Sequence, residues 1–119
     1  MGGIYLFSKK YFTGKITDIS TGGSTFVVCP IAGTISAIYS TINNAITSVD
    51  AGLSFELAGI AVTGGGITVA YDGSAAGDVD SATPTAANTV TAGQAIEMIT
   101  DGASSTACEC TITFEITPS

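Results

Sequence analysis

The end of the chain alternates. Cys108, Cys110, Ile112, Phe114 and Ile116 occupy every second position, with Glu109, Thr111, Thr113 and Glu115 between them. A period of two puts one set of side chains on each face of a strand, so this segment predicts a half-buried strand. Leu53, Phe55 and Leu57 alternate with Ser54 and Glu56, and Ile67, Val69 and Tyr71 with Thr68 and Ala70. Residues 95–100 repeat the pattern, with Ile96 and Met98 inward and Glu97 outward. Asp101-Gly102-Ala103-Ser104-Ser105 then reads as a hairpin-like connection to the last strand.

Two further strands are less regular. Residues 24–29 end at Pro30, which lacks an N–H and suits a strand end or an edge. Residues 33–42 change phase between Ile35 and Ile38, as a β-bulge would cause. A short helix competes there, but Thr and Ser are poor helix formers, and the strand is the better reading. Thr21-Gly22-Gly23, Asn43-Asn44, Gly64-Gly65-Gly66 and Asp72-Gly73-Ser74 punctuate the runs as turns. Residues 72–93 read as a long polar loop around Pro84, with Val90 starting a short strand. Strands at this spacing predict an all-β fold, an antiparallel β-sandwich or jelly roll with an N-terminal arm. At 119 residues, one domain is expected: residues 1–20 as arm or first strand and 21–119 as the sandwich.

Charge narrows the function. The chain is 45% hydrophobic and 11% charged, which excludes disorder and suggests that part of its surface is hidden in an assembly. Three cations face ten anions, for a net charge of −7. Lys9, Lys10 and Lys15 are the three, so there is no Arg, and there is no His either. Three lysines are too few to neutralise nucleic-acid phosphates or to hold an anionic membrane. Without His the chain lacks the commonest acid/base group and metal ligand, and a non-enzymatic protein with no cofactor is expected. No secretory or myristoylation signal and no run of about 18 apolar residues is present, so the expectation is a cytosolic product.

Other motifs give weak signals. Cys108-x-Cys110 lacks the spacing of a zinc half-site, and only Cys29 could join it. Buried thiols are the main reading, with a bond from Cys29 to either of the others left open. Asp72, Asp78 and Asp80 share a loop but match no calcium-loop pattern, and read as a solvated acidic loop. The three glycines at 64–66 have no following Lys or helix and read as a turn rather than a phosphate loop.

Residues 1–20 stand apart, because all three lysines lie there beside Tyr5, Phe7, Tyr11 and Phe12. Tyr5, Phe7, Lys9, Lys10, Tyr11, Phe12 and Lys15 are therefore the candidate docking residues. The competing reading is a first strand whose lysines guard a sheet edge.

Three runs carry a resemblance: Val28-Cys29-Pro30-Ile31-Ala32-Gly33-Thr34-Ile35 through Ile38-Tyr39, residues 53–62, and residues 73–88 with Val90 and Ala92-Gly93. Over residues 25–117 the chain resembles the capsid decoration, or cement, proteins of tailed bacteriophages. The resemblance implies a β-sandwich or jelly roll on the capsid surface of the virion, assembled in the host cytoplasm. It also implies the major capsid protein as partner and a homo-oligomer, a trimer foremost, that stabilises the shell. The alternatives are a phage tail or fibre component and a carbohydrate-binding adhesive sandwich. Residues 1–20 lie outside the resemblance.

Overall fold

The computed structural model describes residues 8–119. They form ten strands: β1 (Lys10–Ile16), β2 (Gly23–Cys29), β3 (Gly33–Ile42), β4 (Ala51–Leu57), β5 (Ile60–Ala61), β6 (Ile67–Val69), β7 (Val79–Ala82), β8 (Thr89–Val90), β9 (Gln94–Thr100) and β10 (Cys110–Pro118). Among the described residues there is no helix.

The strands make two antiparallel sheets. Sheet A has the order β1-β10-β3-β7, with β8 also paired to β3; sheet B has the order β2-β9-β4-β5, with β6 also paired to β4. The chain alternates between the sheets, β1 in A, β2 in B, β3 in A and β4 in B, and β9 in B precedes β10 in A. This is the connectivity of a jelly-roll sandwich.

Alternation along each strand builds the core. Ile112, Phe114 and Ile116 of sheet A face Leu53, Phe55, Ile96 and Met98 of sheet B, and all are buried. Phe55 meets Phe114 edge-on across the sandwich, with ring centroids 5.6 Å apart. Such aromatic pairs add about 0.5–1.5 kcal/mol beyond their area.

The phase change in residues 33–42 is a bulge in a strand. Glu115 pairs with Ala37 and Ile116 with Ile35, so Ser36 is left without an opposite residue. One extra residue restores Ile35 and Ile38 to the same inner face, where both are buried.

Four expectations are corrected. First, Asp101–Ser105 is not a hairpin, since β9 and β10 lie in different sheets. Residues 101–109 cross from one sheet to the other, because the two strands bury their apolar faces against opposite sides of one core. Thr47 N–H donates to Thr106 Oγ1 at 2.9 Å, and Cys108 N–H donates to Asp18 Oδ1 at 3.2 Å, which anchors the crossing. Second, Cys108 belongs to this crossing, and β10 begins at Cys110. Third, Tyr71 lies past the end of β6 and is 46% exposed, so it is not a core residue. Fourth, residues 72–93 are less loop-like than expected: besides the short strand expected at Val90, which is β8, they carry β7, and both pair with β3.

Candidate assembly interface

Sheet edges position the exposed chemistry. β1 ends sheet A and β2 ends sheet B, and the two lie side by side along one flank of the sandwich. On the opposite flank β6 adjoins β7.

β1 pairs with β10 from Lys10↔Ile116 to Ile16↔Cys110. Residues 10–16 are thus a strand of the sheet, and the structure divides the candidate docking residues. Tyr5 and Phe7 lie outside the described residues. Phe12 turns inward and stacks on Phe114, with centroids 5.1 Å apart and planes 21° from parallel. Lys9 Nζ donates to Glu115 Oε1 at 2.9 Å, and Lys15 Nζ approaches Glu109 Oε2 at 3.1 Å. Lys10 and Tyr11 are the exposed remainder, with Tyr11 58% exposed.

Glu115 collects three donors: Lys9 Nζ, Ser36 Oγ at 2.7 Å and Tyr11 Oη at 3.0 Å. The Lys9 bond first, then the Ser36 bond, hold its carboxyl below the usual range. The same carboxylate raises Lys9, and its bond raises Tyr11 above the ordinary phenol value. The free edge of β1 is therefore lined by lysines, of which Lys9 pairs with Glu115 of β10 and Lys15 with Glu109 just before that strand. This is the pattern that discourages strand-to-strand pairing.

β2 is built differently. Its sequence is Gly-Ser-Thr-Phe-Val-Val-Cys, without a charge, and β9 covers one side only. Cys29 fixes the phase because it is fully buried, so Val27 turns inward while Phe26 and Val28 turn outward. Phe26 is 63% exposed and Val28 59%. Behind Phe26, in register across the outer face, stand Glu97 of β9 and Glu56 of β4. Ser24 Oγ donates to Glu97 Oε2 at 2.5 Å. An uncharged seven-residue edge with large apolar side chains is the kind that natural sheets normally blunt. The sequence predicts the strand but does not single out Phe26 and Val28 as exposed. The one local signal for an edge was Pro30, directly after the strand.

The remaining motifs are structural. Cys29, Cys108 and Cys110 are free and buried. Burial pushes the Cys110 thiol up to about 11 and raises Cys29 as well. Asp78 Oδ2 accepts the Ala75 N–H at 2.8 Å, and Asp80 sits on β7 opposite Ser40. Among the described residues no three His, Cys, Asp or Glu side chains gather as metal ligands would.

No family model matches the chain, and no curated protein is similar to it. Solved structures do resemble it. Dimeric latent PorU from Porphyromonas gingivalis aligns at 11% identity with a TM-score of 0.47, over 92% of this chain but only 13% of that one. A protein of the disulfide-linked pili that are Bacillus endospore appendages aligns at 18% identity and TM-score 0.40, over 94% of this chain and 88% of that one. CsCBM6-3 from Clostridium stercorarium, solved in complex with cellobiose, aligns at 14% identity and TM-score 0.53, covering 95% and 94%. None of the three is a phage capsid decoration protein. At these identities the likeness to CsCBM6-3 shows the fold, a β-sandwich, and nothing finer.

Proposed function

We propose that the chain is a non-enzymatic structural protein that acts in many copies on a larger assembly. The observation that carries this reading is β2, a sheet edge of seven uncharged residues with Phe26 and Val28 exposed upon it. A protein with a net charge of −7 needs a contact where like charges do not meet, and β2 offers one. The resemblance in the sequence supports a tailed-phage head as the assembly, with the major capsid protein as partner and a trimer as the unit. Lys10 and Tyr11, exposed on β1, are the described residues left for docking on an acidic shell. Binding across joints between shell subunits would oppose expansion and rupture of the shell.

Quantitative mass spectrometry of purified source particles tests this. Hundreds of copies in a simple ratio to the shell protein are the expected result. A handful of copies would place the chain at a tail or vertex, and its absence would remove the virion reading.

A second reading, glycan binding, rests on Tyr11 and Tyr39. Both lie on the outer face of sheet A, flanking Glu115 and Thr113, and they are 58% and 36% exposed. Titration with cello-oligosaccharides, followed by tyrosine fluorescence, would show saturable quenching on this reading and none on the first.

A further inference from the structure

We propose that Asp80 and Ser40 form a proton-operated latch between β7 and β3: the neutral carboxyl hydrogen-bonds to the serine hydroxyl and holds β7 closed, and ionisation releases it. This inference does not depend on the assembly reading above and concerns the opposite flank of the sandwich from β2.

Ser40 and Asp80 stand opposite each other in the β3–β7 ladder. Ser40 is 1% exposed and faces the core, so its partner in register lies on the same inner face. Val79, one residue earlier on β7, is turned outward and exposed, which fits that phase. Ser40 Oγ is buried without a hydrogen-bond partner. A buried hydroxyl left unpaired is costly. Asp80 is half-buried, and among the described residues no hydrogen bond or ion pair reaches its carboxylate. Two adjacent polar side chains on one inner face thus each lack a partner.

Charge decides when the bond forms. An ionised Asp80 reaches Ser40 only by carrying its charge inward. No cation offsets that step. The lysines, at positions 9, 10 and 15, belong to the β1 edge of sheet A, three strands and roughly 14 Å away. Cys110 of β10 is a buried thiol, Tyr39 of β3 lies on the outer face opposite Ser81, and β6, which adjoins β7, has no titratable residue. Asp78, just before β7, adds a second negative charge. Burial first, then Asp78, raise the Asp80 carboxyl above its ordinary value. A neutral carboxyl carries no such penalty, and its O–H donates to Ser40 Oγ.

β7 is suited to open. It is a four-residue edge strand, paired in its sheet to β3 alone. Its departure uncovers β3 from Ile38 to Thr41, because β8 covers only Gly33 and Thr34. A bare edge of this kind is a template for pairing with another chain. The closed state holds the proton more tightly than the open one. Closure therefore strengthens as pH falls through the raised Asp80 value and is complete below the ordinary aspartate value of 3.8. The sense is opposite to that of Glu115, whose carboxyl is lowered in the fold.

Hydrogen exchange of the full chain from pH 4 to pH 7, corrected for the intrinsic pH dependence of exchange, tests the latch at the amides of Val79–Ala82 bonded to β3. Wild type is expected to lose protection there as pH rises, by up to about tenfold per pH unit as one proton leaves. Amides of β4, in the other sheet, should show no such fall. Asp80→Asn, an uncharged isostere, should keep the acid-state protection across the whole range. Ser40→Ala should lower β7 protection several-fold at pH 4, although it removes an unpaired buried hydroxyl; a merely structural serine would leave that protection unchanged or raised. Wild-type protection of β7 that is flat with pH would overturn the latch. So would a pH dependence that survives in Asp80→Asn, or unchanged or raised β7 protection in Ser40→Ala.

Discussion

Phe12 stacks on Phe114 across the β1–β10 pair, with ring centroids 5.1 Å apart, and Phe114 in turn meets Phe55 of the opposite sheet. A residue that reads as part of a docking arm is thus the outer member of an aromatic chain through the core. Phe12→Ala should destabilise the fold by about 2–3 kcal/mol, somewhat less than a fully buried Phe→Ala change. Urea unfolding measures this directly. An unchanged midpoint would mean that β1 is only loosely attached. Deletion of residues 1–20 is likewise expected to disrupt the sandwich, because it removes an entire strand of sheet A.

Glu115 gives the stability a dependence on acid. Its carboxyl is held below the usual range by Lys9, then by Ser36. A carboxyl depressed in the folded state contributes stability that is present above its unfolded value and is lost as pH falls through the folded one. Stability is therefore expected to decline as pH drops below about 4.5, the ordinary glutamate value. Asp18, depressed by its bonds from Ser20, adds a loss in the same direction. In Glu115→Gln the decline should be shallower, which thermal melts from pH 6 to pH 2.5 would reveal. An identical pH profile in the variant would remove Glu115 from the account.

The thiols are expected to be silent in the folded protein. All three are buried, and burial raises Cys110 to about 11 and also raises Cys29. Little thiolate of Cys29 or Cys110 exists at pH 8, and reagents cannot reach any of the three buried sulfurs. A disulfide-exchange chromophore should label none of them in native protein at that pH and three after denaturation. Fast labelling of even one would contradict their place in the core.

Gly102 is a point where the backbone admits no side chain. Its φ is +69°, and a Cβ there would lie 2.8 Å from Gly22 N and 3.0 Å from Gly22 Cα. The turn after β9 packs at this point on the link between β1 and β2. Gly102→Ala should cost at least about 1–2 kcal/mol from the left-handed backbone alone. The added crowding should raise that cost. Gly73 has φ +73° with open space around its Cβ position. Gly73→Ala should therefore cost less, and the difference between the two melting temperatures isolates the crowding.

The strands were legible wherever a single face is buried. Residues 53–57, 95–100 and 110–116 show clean alternation because water on one side and core on the other select opposite residue types. Even the bulge at Ser36 was legible, as a one-residue slip between Ile35 and Ile38. Sheet membership was not legible. Nothing local in Asp101-Gly102-Ala103-Ser104-Ser105 separates a hairpin from a crossing, because the choice is made by which face of the core each strand must cover. The site was half legible for a related reason. Lysines beside aromatics marked β1 as unusual, but the partners that neutralise Lys9 and Lys15, Glu115 and Glu109, are about a hundred residues away in sequence. Phe26 and Val28 do not stand out in the sequence, because an apolar strand with both faces hydrophobic looks the same whether its second face meets a core or an open edge.

Hydrogen exchange in the full chain, at low and high protein concentration, tests most directly whether β2 is an assembly contact. Amides of Ser24–Cys29 that point to the open side of β2 should exchange fast in dilute protein and slow markedly as concentration rises. Amides of β1, guarded by its lysines, should not respond. Exchange along β2 that is independent of concentration would contradict the account, and slowing at β1 instead would move the contact to the lysine-lined edge.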